Sequence, residues 1–185
     1  VLLVEDTSRA SANAMMTLNG YIDVLVPRGG AGLIAAVVQN ATVPVIETGS
    51  GNCHIYVDQA ADLDMAATIV DNAKTSRPSV CNAVETLLVH TAVAPQFLPR
   101  IKALLDAGRV QLRGCDKTVD LLGDTVKPAT EADYQTEFND YILAVRVVES
   151  LEQAIEHIAA YSTGHSEAIV TEDYTAAQAF LAQVD

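Results

Sequence analysis

The sequence predicts an α/β fold with a mostly parallel sheet flanked by helices. Segments typical of strands and of helices alternate along nearly the whole chain of 185 residues, as in repeated strand–helix–strand units. Half of the residues are apolar, with alanine and valine prominent among them, and only 5% are aromatic. Small and β-branched side chains of this kind suit a parallel sheet covered by helices.

Charge and composition exclude several classes of protein. The formal net charge of −13 leaves no basic stripe for a nucleic-acid backbone, so no nucleic-acid partner is expected. No apolar run approaches the ~18 residues that span a bilayer, so no membrane partner is expected either. The three cysteines are too widely spaced for a disulfide framework or a metal motif, which favours a reducing cytoplasm.

The first part of the chain predicts strand, helix and strand in that order. Residues 1–4 are an apolar run that reads as a strand. Thr7 or Ser8 can cap a helix that runs to Leu18. Residues 22–26 then form the next predicted strand.

A glycine-rich loop follows that strand. Arg28, Gly29, Gly30 and Gly32 lie within it, and residues 33–38 read as a helix. Strand, glycine loop and helix present free backbone amides to a phosphate. A plain tight turn explains the same pattern, because neither a P-loop nor a strict dinucleotide fingerprint is present.

The middle of the chain continues the alternation. Residues 44–46 and 53–57 read as strands separated by a polar loop at 47–52, where ligands of open α/β sheets are expected. Asp62 caps a helix that ends before Pro78, since the residue before proline avoids helical angles. The remaining predicted elements are a strand at 85–90, a helix at 95–105, a strand at 110–114, an irregular stretch at 115–135, a strand at 142–148, a helix from Ser150 to Gly164, a strand at 168–170 and a helix from Asp173 to Leu181.

Cys81 is the candidate nucleophile. It lies on a short connection between a helical and a strand pattern, with Arg77, Ser79 and Asn82 close by in sequence. An arginine and free backbone amides near a thiol favour the reactive thiolate. Cys53 and Cys115 lie at strand ends and read as small buried apolar side chains. The residues alone leave Cys81 open between a nucleophile and ordinary filling.

Other titratable groups are weaker candidates. The four histidines lie in or next to regular elements, so none is placed as the partner of a thiol hydrolase, and none has metal-ligand spacing. Glu47 leaves a strand into a glycine loop, where partial desolvation would suit a carboxylate to act as a base. Glu137 precedes the long strand at 142–148. A solvated loop carboxylate remains the alternative for both.

Several segments resemble one known family. The most specific is Arg-Pro-Ser-Val-Cys-Asn at 77–82, and the chain is similar along its length to gamma-glutamyl phosphate reductases, a family of the aldehyde dehydrogenase superfamily. The segments that carry the resemblance are 23–34, 43–49, 51–58, 72–74, 77–83 and 163–169. The resemblance implies an aldehyde dehydrogenase-like fold, with the end of an NADP-binding domain at 1–50 and the cysteine-bearing catalytic domain at 51–185.

The resemblance also implies roles for residues. Cys81 matches the catalytic cysteine, and Glu47 falls where many superfamily members carry a general base. Glu137 resembles the glutamate that holds the nicotinamide ribose. The glycine loop, with Arg28, Gly29, Gly30 and Gly32, corresponds to a segment beside the cofactor, although it departs from the usual glycine motif. Lys74, Arg77 and Asn82 are candidate substrate contacts, chosen for charge and nearness in sequence to Cys81.

The implied reaction is the NADPH-dependent reduction of L-glutamate 5-phosphate to L-glutamate 5-semialdehyde in proline biosynthesis, through a thioester on Cys81. No water needs activation in this direction, which puts the role of Glu47 as a base in doubt. The family also implies a cytoplasmic homo-oligomer. Its members are much longer, so we expect the 185 residues alone to bind NADPH weakly and to turn over little substrate.

Two alternatives remain from sequence. A non-catalytic α/β assembly module would carry an inert, buried Cys81. A thiol hydrolase would need a histidine partner that the spacing does not supply.

Overall fold

The computed structural model describes residues 2–47 and 49–185. For Ala31, within the first range, it describes the backbone but not the side chain. The prediction of an opening strand at 1–4 is wrong for residues 2–4, which form no strand; Leu2 and Leu3 are almost fully exposed and pack on no sheet. Val1 and Thr48, the latter in the predicted polar loop at 47–52, lie outside the described residues. The chain divides into two compact units, at 1–50 and 51–185. Within the described residues, no helix is long and apolar enough to cross a membrane.

The first unit contains α1 (Arg9–Met15) and α2 (Ala31–Asn40). Ser8 caps α1, as predicted, because its hydroxyl accepts the amide hydrogen of Ser11 at 3.2 Å. The predicted strands at 22–26 and 44–46 form only an isolated parallel bridge between Leu25 and Val45. Prolines at 27 and 44 lack the amide hydrogen that a longer ladder needs, which explains the short pairing.

The second unit is a sheet of six strands, and every described strand pair in it is parallel. The strand order is β4-β3-β5-β2-β1-β6. The elements in chain order are β1 (Cys53–Val57), α3 (Leu63–Thr75), β2 (Val84–His90), α4 (Ala94–Ala107), β3 (Gln111–Gly114), α5 (Asp116–Leu122), β4 (Lys127–Pro128), α6 (Glu131–Tyr134), β5 (Ile142–Val148), α7 (Leu151–Tyr161), β6 (Glu167–Val170) and α8 (Tyr174–Gln183).

Two apolar clusters cover the two faces of this sheet. Alternate residues of the central strands, such as Leu87 and Leu88, belong to different clusters. The larger cluster packs α3, α4 and α5 on one face, and the smaller packs α7 and α8 on the other. Because the sheet is covered on both faces, every residue of β1 and β2 is buried, with no alternation of buried and exposed side chains.

A buried ion pair joins α3 to β2. The Nζ of Lys74, in the last turn of α3, lies 2.6 Å from Oε2 of Glu85, and the two side chains are 0% and 1% exposed. The other oxygen of Glu85 accepts the amide hydrogen of Asn139 at 3.1 Å, just before β5. Burial lowers the pKa of Lys74 and raises that of Glu85. The pair therefore joins three chain segments, which are the end of α3, the start of β2 and the segment before β5, at the amino-terminal ends of the strands.

A cluster of rings lies under α7. His54 and His157 are buried, with ring centroids 5.4 Å apart, and Tyr134 meets His157 edge-on at 5.0 Å. Nδ1 of His157 accepts a hydrogen bond from the guanidinium of Arg146 at 3.2 Å, so this ring is neutral. Burial lowers the pKa of His54 to about 4 and that of His157 to about 3.

Removing one member of the buried ion pair should lower the free energy of unfolding far more than removing one member of a surface ion pair. We expect Lys74→Met to lower the free energy of unfolding by about 3–5 kcal/mol, because Glu85 is left buried without its cation. The double variant Lys74→Met/Glu85→Gln should recover much of that loss. Urea unfolding followed by circular dichroism measures both.

The matched control is Lys102→Met. Lys102 pairs with Asp106 at the surface of α4 at 2.5 Å, and such pairs contribute about 0–1 kcal/mol. If Lys74→Met and Lys102→Met lowered the free energy of unfolding equally, the ion pair of Lys74 and Glu85 would not have the structural role inferred from its burial.

The two buried histidines should make the protein acid-sensitive. Unfolded histidines bind protons below a pKa of about 6.5, whereas the folded rings stay neutral until about pH 4. The unfolded state therefore binds more protons in this window, and stability falls as the pH drops from about 6.5 to 4. In His157→Phe, the slope of unfolding free energy against pH should be shallower by about 1.4 kcal/mol per unit.

The exposed His165 supplies the control for this measurement. His165→Asn should leave the slope between pH 6.5 and 4 as it is in the parent chain, because the His165 ring is exposed and loses no burial on unfolding. An unchanged slope in His157→Phe would mean that His157 does not bind its proton on unfolding.

Candidate functional site

Cys81 lies in an exposed turn between α3 and β2. The amide of Val80 donates to the carbonyl of Arg77 at 3.4 Å, and the amide of Ala83 donates to that of Val80 at 3.0 Å. The turn begins where Pro78 prevents α3 from continuing. An exposed thiol on a hydrogen-bonded turn is accessible to a substrate and is held on a rigid scaffold.

The site forms at the end of the sheet where the parallel strands begin. Because the strands are parallel, the segments that precede β1, β2, β5 and β6 meet at one edge. These segments carry Gly51, Cys81, Glu137 and His165. This agrees with the sequence, which placed Cys81 on a connection from a helical pattern to a strand pattern. Ligands of open parallel sheets usually bind at the opposite, carboxyl ends of the strands.

Gly51, which precedes β1, and Cys53, the first residue of β1, both contact the backbone of Cys81. The thiol of Cys53 lies 3.2 Å from the carbonyl oxygen of Cys81 and donates to it. Gly51 packs directly against the same carbonyl, since a Cβ at this position would lie 1.7 Å from the oxygen. The backbone of Cys81 is therefore held in place, whereas its side chain is exposed.

Glu137 holds this arrangement from the segment before β5. Its Oε1 accepts the amide hydrogen of Gly51 at 2.9 Å, and its side chain is half-buried. The resemblance to gamma-glutamyl phosphate reductases implies a role for Glu137 at the cofactor ribose. The structure places it beside Gly51 and hence next to the Cys81 turn, with one carboxylate oxygen engaged by the protein.

The three candidate substrate contacts differ in placement. Arg77 and Asn82 are exposed on the turn that carries Cys81. Lys74 is fully buried, and its ammonium contacts Glu85. This placement gives Lys74 the role of a structural partner within the fold, and does not favour a direct contact with a substrate anion.

The other predicted site residues lie in the first unit. Glu47 is exposed and comes shortly after the Leu25–Val45 bridge. Arg28, Gly29, Gly30 and Gly32 surround the start of α2, with Gly30 at the N-cap. No described side chain caps this helix, and its first turn contains no acidic residue. Its first amides are therefore free of a side-chain cap, and both the phosphate cradle and the plain tight turn that the glycine pattern allows fit this geometry.

Sequence reasoning missed the functional placement of Cys53. It identified a small buried side chain, and Cys53 is indeed 3% exposed, but the hydrogen bond to Cys81 was not foreseen. Cys115 is half-buried and accepts the amide hydrogen of Val147 at 3.3 Å through its sulfur. Of the described thiols, Cys81 alone is exposed.

Asn52 was also missed as an anchor. Its side-chain amide donates to the carbonyls of Tyr134 and Tyr161, both at 2.8 Å, and its backbone amide donates to Thr163 at 3.1 Å. A buried asparagine between a glycine loop and a strand was the available signal. Among the described residues, no cluster of His, Cys, Asp or Glu could hold a metal ion.

Comparison with known proteins extends the resemblance found in the sequence. No family model matches the chain. A gamma-glutamyl phosphate reductase from Heliobacterium modesticaldum is 61% identical over 185 residues, which cover all of this chain and 44% of that protein. The crystal structure of gamma-glutamyl phosphate reductase from Thermotoga maritima superposes with a TM-score of 0.93 and 51% identity, over 98% of this chain and 44% of the other.

More distant structures share the fold alone. Propionaldehyde dehydrogenase from Rhodopseudomonas palustris, solved with bound propionyl-CoA, has a TM-score of 0.75 at 18% identity, over 98% of this chain and 48% of that one. An engineered glycolyl-CoA reductase with bound NADP+ gives 0.75 at 19%, with coverage of 98% and 49%. These likenesses confirm the predicted aldehyde dehydrogenase-like α/β fold. In sequence and in fold, the chain is thus similar throughout its length to a segment that makes up just under half of a gamma-glutamyl phosphate reductase.

Proposed function

We propose that the chain is the nucleophile-bearing part of an NADPH-dependent glutamate-5-semialdehyde dehydrogenase of proline biosynthesis. The observation that carries the proposal is the exposed Cys81 on a turn whose backbone is held by Gly51 and Cys53. The relatives named gamma-glutamyl phosphate reductase support the substrate, L-glutamate 5-phosphate. The unit at 51–185 is then the catalytic domain, and 1–50 is the end of the cofactor-binding domain.

The first chemical step belongs to Cys81. Its thiolate attacks the carbonyl carbon of the acyl phosphate, the carbon–oxygen bond to phosphate breaks, and a thioester remains on the sulfur. Within the described residues, the backbone amide of Cys81 donates to no other group. That amide can therefore stabilise the oxyanion that develops on the substrate. Arg77 and Asn82, exposed on the same turn, are placed to contact the substrate anion.

The start of α2 fits a phosphate-bearing cofactor. A Cβ at Gly30 or Gly32 would meet no atom within 4 Å, and the uncapped amides of the helix are open to an anion. Glu137 would hold a ribose hydroxyl. When bound, NADPH supplies the hydride that reduces the thioester to a thiohemiacetal. Collapse of that adduct releases L-glutamate 5-semialdehyde and returns the Cys81 sulfur as a thiolate.

Glu47 has a limited place in this scheme. Reduction of an acyl phosphate consumes no water, so a general base that activates water has no step to serve. We propose that the exposed Glu47 carboxylate orients bound groups. The proposal also includes a cytoplasmic location and a homo-oligomer.

Cys81 should be the fast-reacting thiol of this protein. We expect iodoacetamide to label Cys81 well before Cys53 and Cys115, because only Cys81 among the described thiols is exposed, and a substrate analogue should protect it. In a protein completed with the remaining segments of its relatives, Cys81→Ala should lower kcat by more than about 1,000-fold. Mass spectrometry of labelled peptides and the absorbance of NADPH are the two measurements.

Cys115→Ala is the control and should retain activity. Equal, slow labelling of all three cysteines would favour the non-catalytic assembly module and would overturn the proposal. Hydrolysis of activated glutamyl esters in the absence of NADPH would favour a thiol hydrolase instead.

A further inference from the structure

The carbonyl of Cys81 is held from two sides by the segment that leads into β1. The thiol of Cys53 donates to the carbonyl oxygen at 3.2 Å. The α-carbon of Gly51 lies so close that an added Cβ would be 1.7 Å from the oxygen and 2.9 Å from the α-carbon of Cys81. Both neighbours contact backbone atoms, which cannot turn away as a flexible side chain could.

The segment 51–53 is itself firmly anchored. Glu137 accepts the amide hydrogen of Gly51 at 2.9 Å, and the side chain of Asn52 donates to two carbonyls in α6 and α7 at 2.8 Å each. Cys53 then begins a strand that is buried along its whole length. A rigid segment of this kind can act as a fixed support for the mobile groups of a turn.

Burial keeps the Cys53 sulfur in the donor form. It raises the pKa of the Cys53 thiol to about 12, with the negative groups of Glu167, Glu85, Cys81 and Glu137 adding to the effect. The thiol therefore carries its hydrogen throughout the neutral range and is no second nucleophile. Nδ1 of His165 is the other polar atom near the sulfur, but at 3.9 Å it is farther than the carbonyl oxygen.

Fixing the carbonyl fixes the orientation of the nucleophile. The carbonyl of Cys81 and the amide of Asn82 belong to one planar peptide, so a held oxygen sets the direction of that amide as well. The α-carbon that carries the Cys81 side chain is adjacent to the same carbonyl. Small displacements of a reacting atom cost much of the rate, because reaction requires near-attack geometry.

We propose that Cys53 is a positioning residue that holds the backbone of Cys81, through the S–H donor to its carbonyl, so that the Cys81 thiolate points at the substrate. The inference rests on the proposed function of Cys81 and extends it to a residue that makes no contact with substrate. Gly51 supplies the steric side of the same support.

The test separates the donor from the volume of the side chain. Cys53→Ser keeps a hydroxyl donor, whereas Cys53→Ala removes it. We expect Cys53→Ala to slow alkylation of Cys81 by about two- to tenfold, the range that one hydrogen bond supplies, and Cys53→Ser to remain near the parent rate. In the protein completed to the length of its relatives, kcat should follow the same order, with KM for the substrate little changed.

Two controls keep the outcomes distinct. Cys115→Ala should not change the alkylation of Cys81, and thermal unfolding of each variant reports any general loss of structure. Equal rates in Cys53→Ala, Cys53→Ser and the parent would overturn the proposal, and so would equal slowing in both variants. If Cys81 of the parent chain reacts no faster than Cys115, the proposed function fails first, and this failure is visible before any Cys53 variant is made.

A glycine substitution tests the steric side of the support. Gly51→Ala should slow alkylation of Cys81 more than Cys53→Ala does, because its Cβ would overlap the carbonyl oxygen and force the turn to move. Gly49→Ala is the matched control, since a Cβ there meets no atom within 4 Å. Unchanged alkylation in Gly51→Ala would contradict the close approach on which the inference depends.

Discussion

Glu85 is the buried group on which the candidate site depends. One of its oxygens is paired with Lys74 at the end of α3, and the other accepts the amide of Asn139 before β5. The Cys81 turn lies between Lys74 and Glu85 in sequence, so the ion pair closes the base of that turn. Asn139 has a left-handed backbone with φ of 54°, a conformation that its bond to Glu85 helps to hold. Glu137, two residues earlier, is thereby kept in reach of Gly51.

A carboxylate buried at this position loses its hydration, and other interactions of the fold must offset that loss of free energy. Burial disfavours the charged forms of both Glu85 and Lys74. Two apolar side chains of similar size could fill the same space with equal or greater stability. They could not accept the amide of Asn139 while contacting the end of α3. The pair is thus explained better by the three segments it joins than by any gain in stability.

Much of the second unit could be predicted from sequence because its elements have strong local patterns. The strands at 53–57 and 142–148 have the predicted bounds, since runs rich in apolar and β-branched residues define them. The stretch at 115–135 was predicted only as irregular, and it holds α5, the two-residue β4 and α6. Elements this short have too few residues to show a period. The strands predicted at 22–26 and 44–46 reduce to isolated bridges, because proline follows the first run and begins the second.

The candidate site was predictable in its residues more than in its geometry. A turn-forming segment around Cys81 stands out in the sequence between a helical and a strand pattern, but the sequence does not show which groups contact its backbone. The burial of Lys74 was within reach, because it follows Val70 by four positions and Ala67 by seven, on the buried face of α3. Its charge suggested a surface contact instead. The partner, Glu85, lies in a strand buried on both faces, and a charge there signals a buried pair.

The three cysteines show how the fold divides one chemical group among different tasks. Cys53 is buried among negative groups, and the raised pKa of its thiol keeps it a donor. Cys115 is half-buried and its sulfur serves as an acceptor for Val147. Cys81 is exposed, so its thiol can meet a substrate. Of these three thiols, Cys81 is therefore the one whose placement suits the proposed nucleophile. The same burial that makes Cys53 inert as a nucleophile makes it a dependable hydrogen-bond donor to the backbone of Cys81, and so selectivity among the thiols and orientation of the proposed nucleophile have a common physical cause.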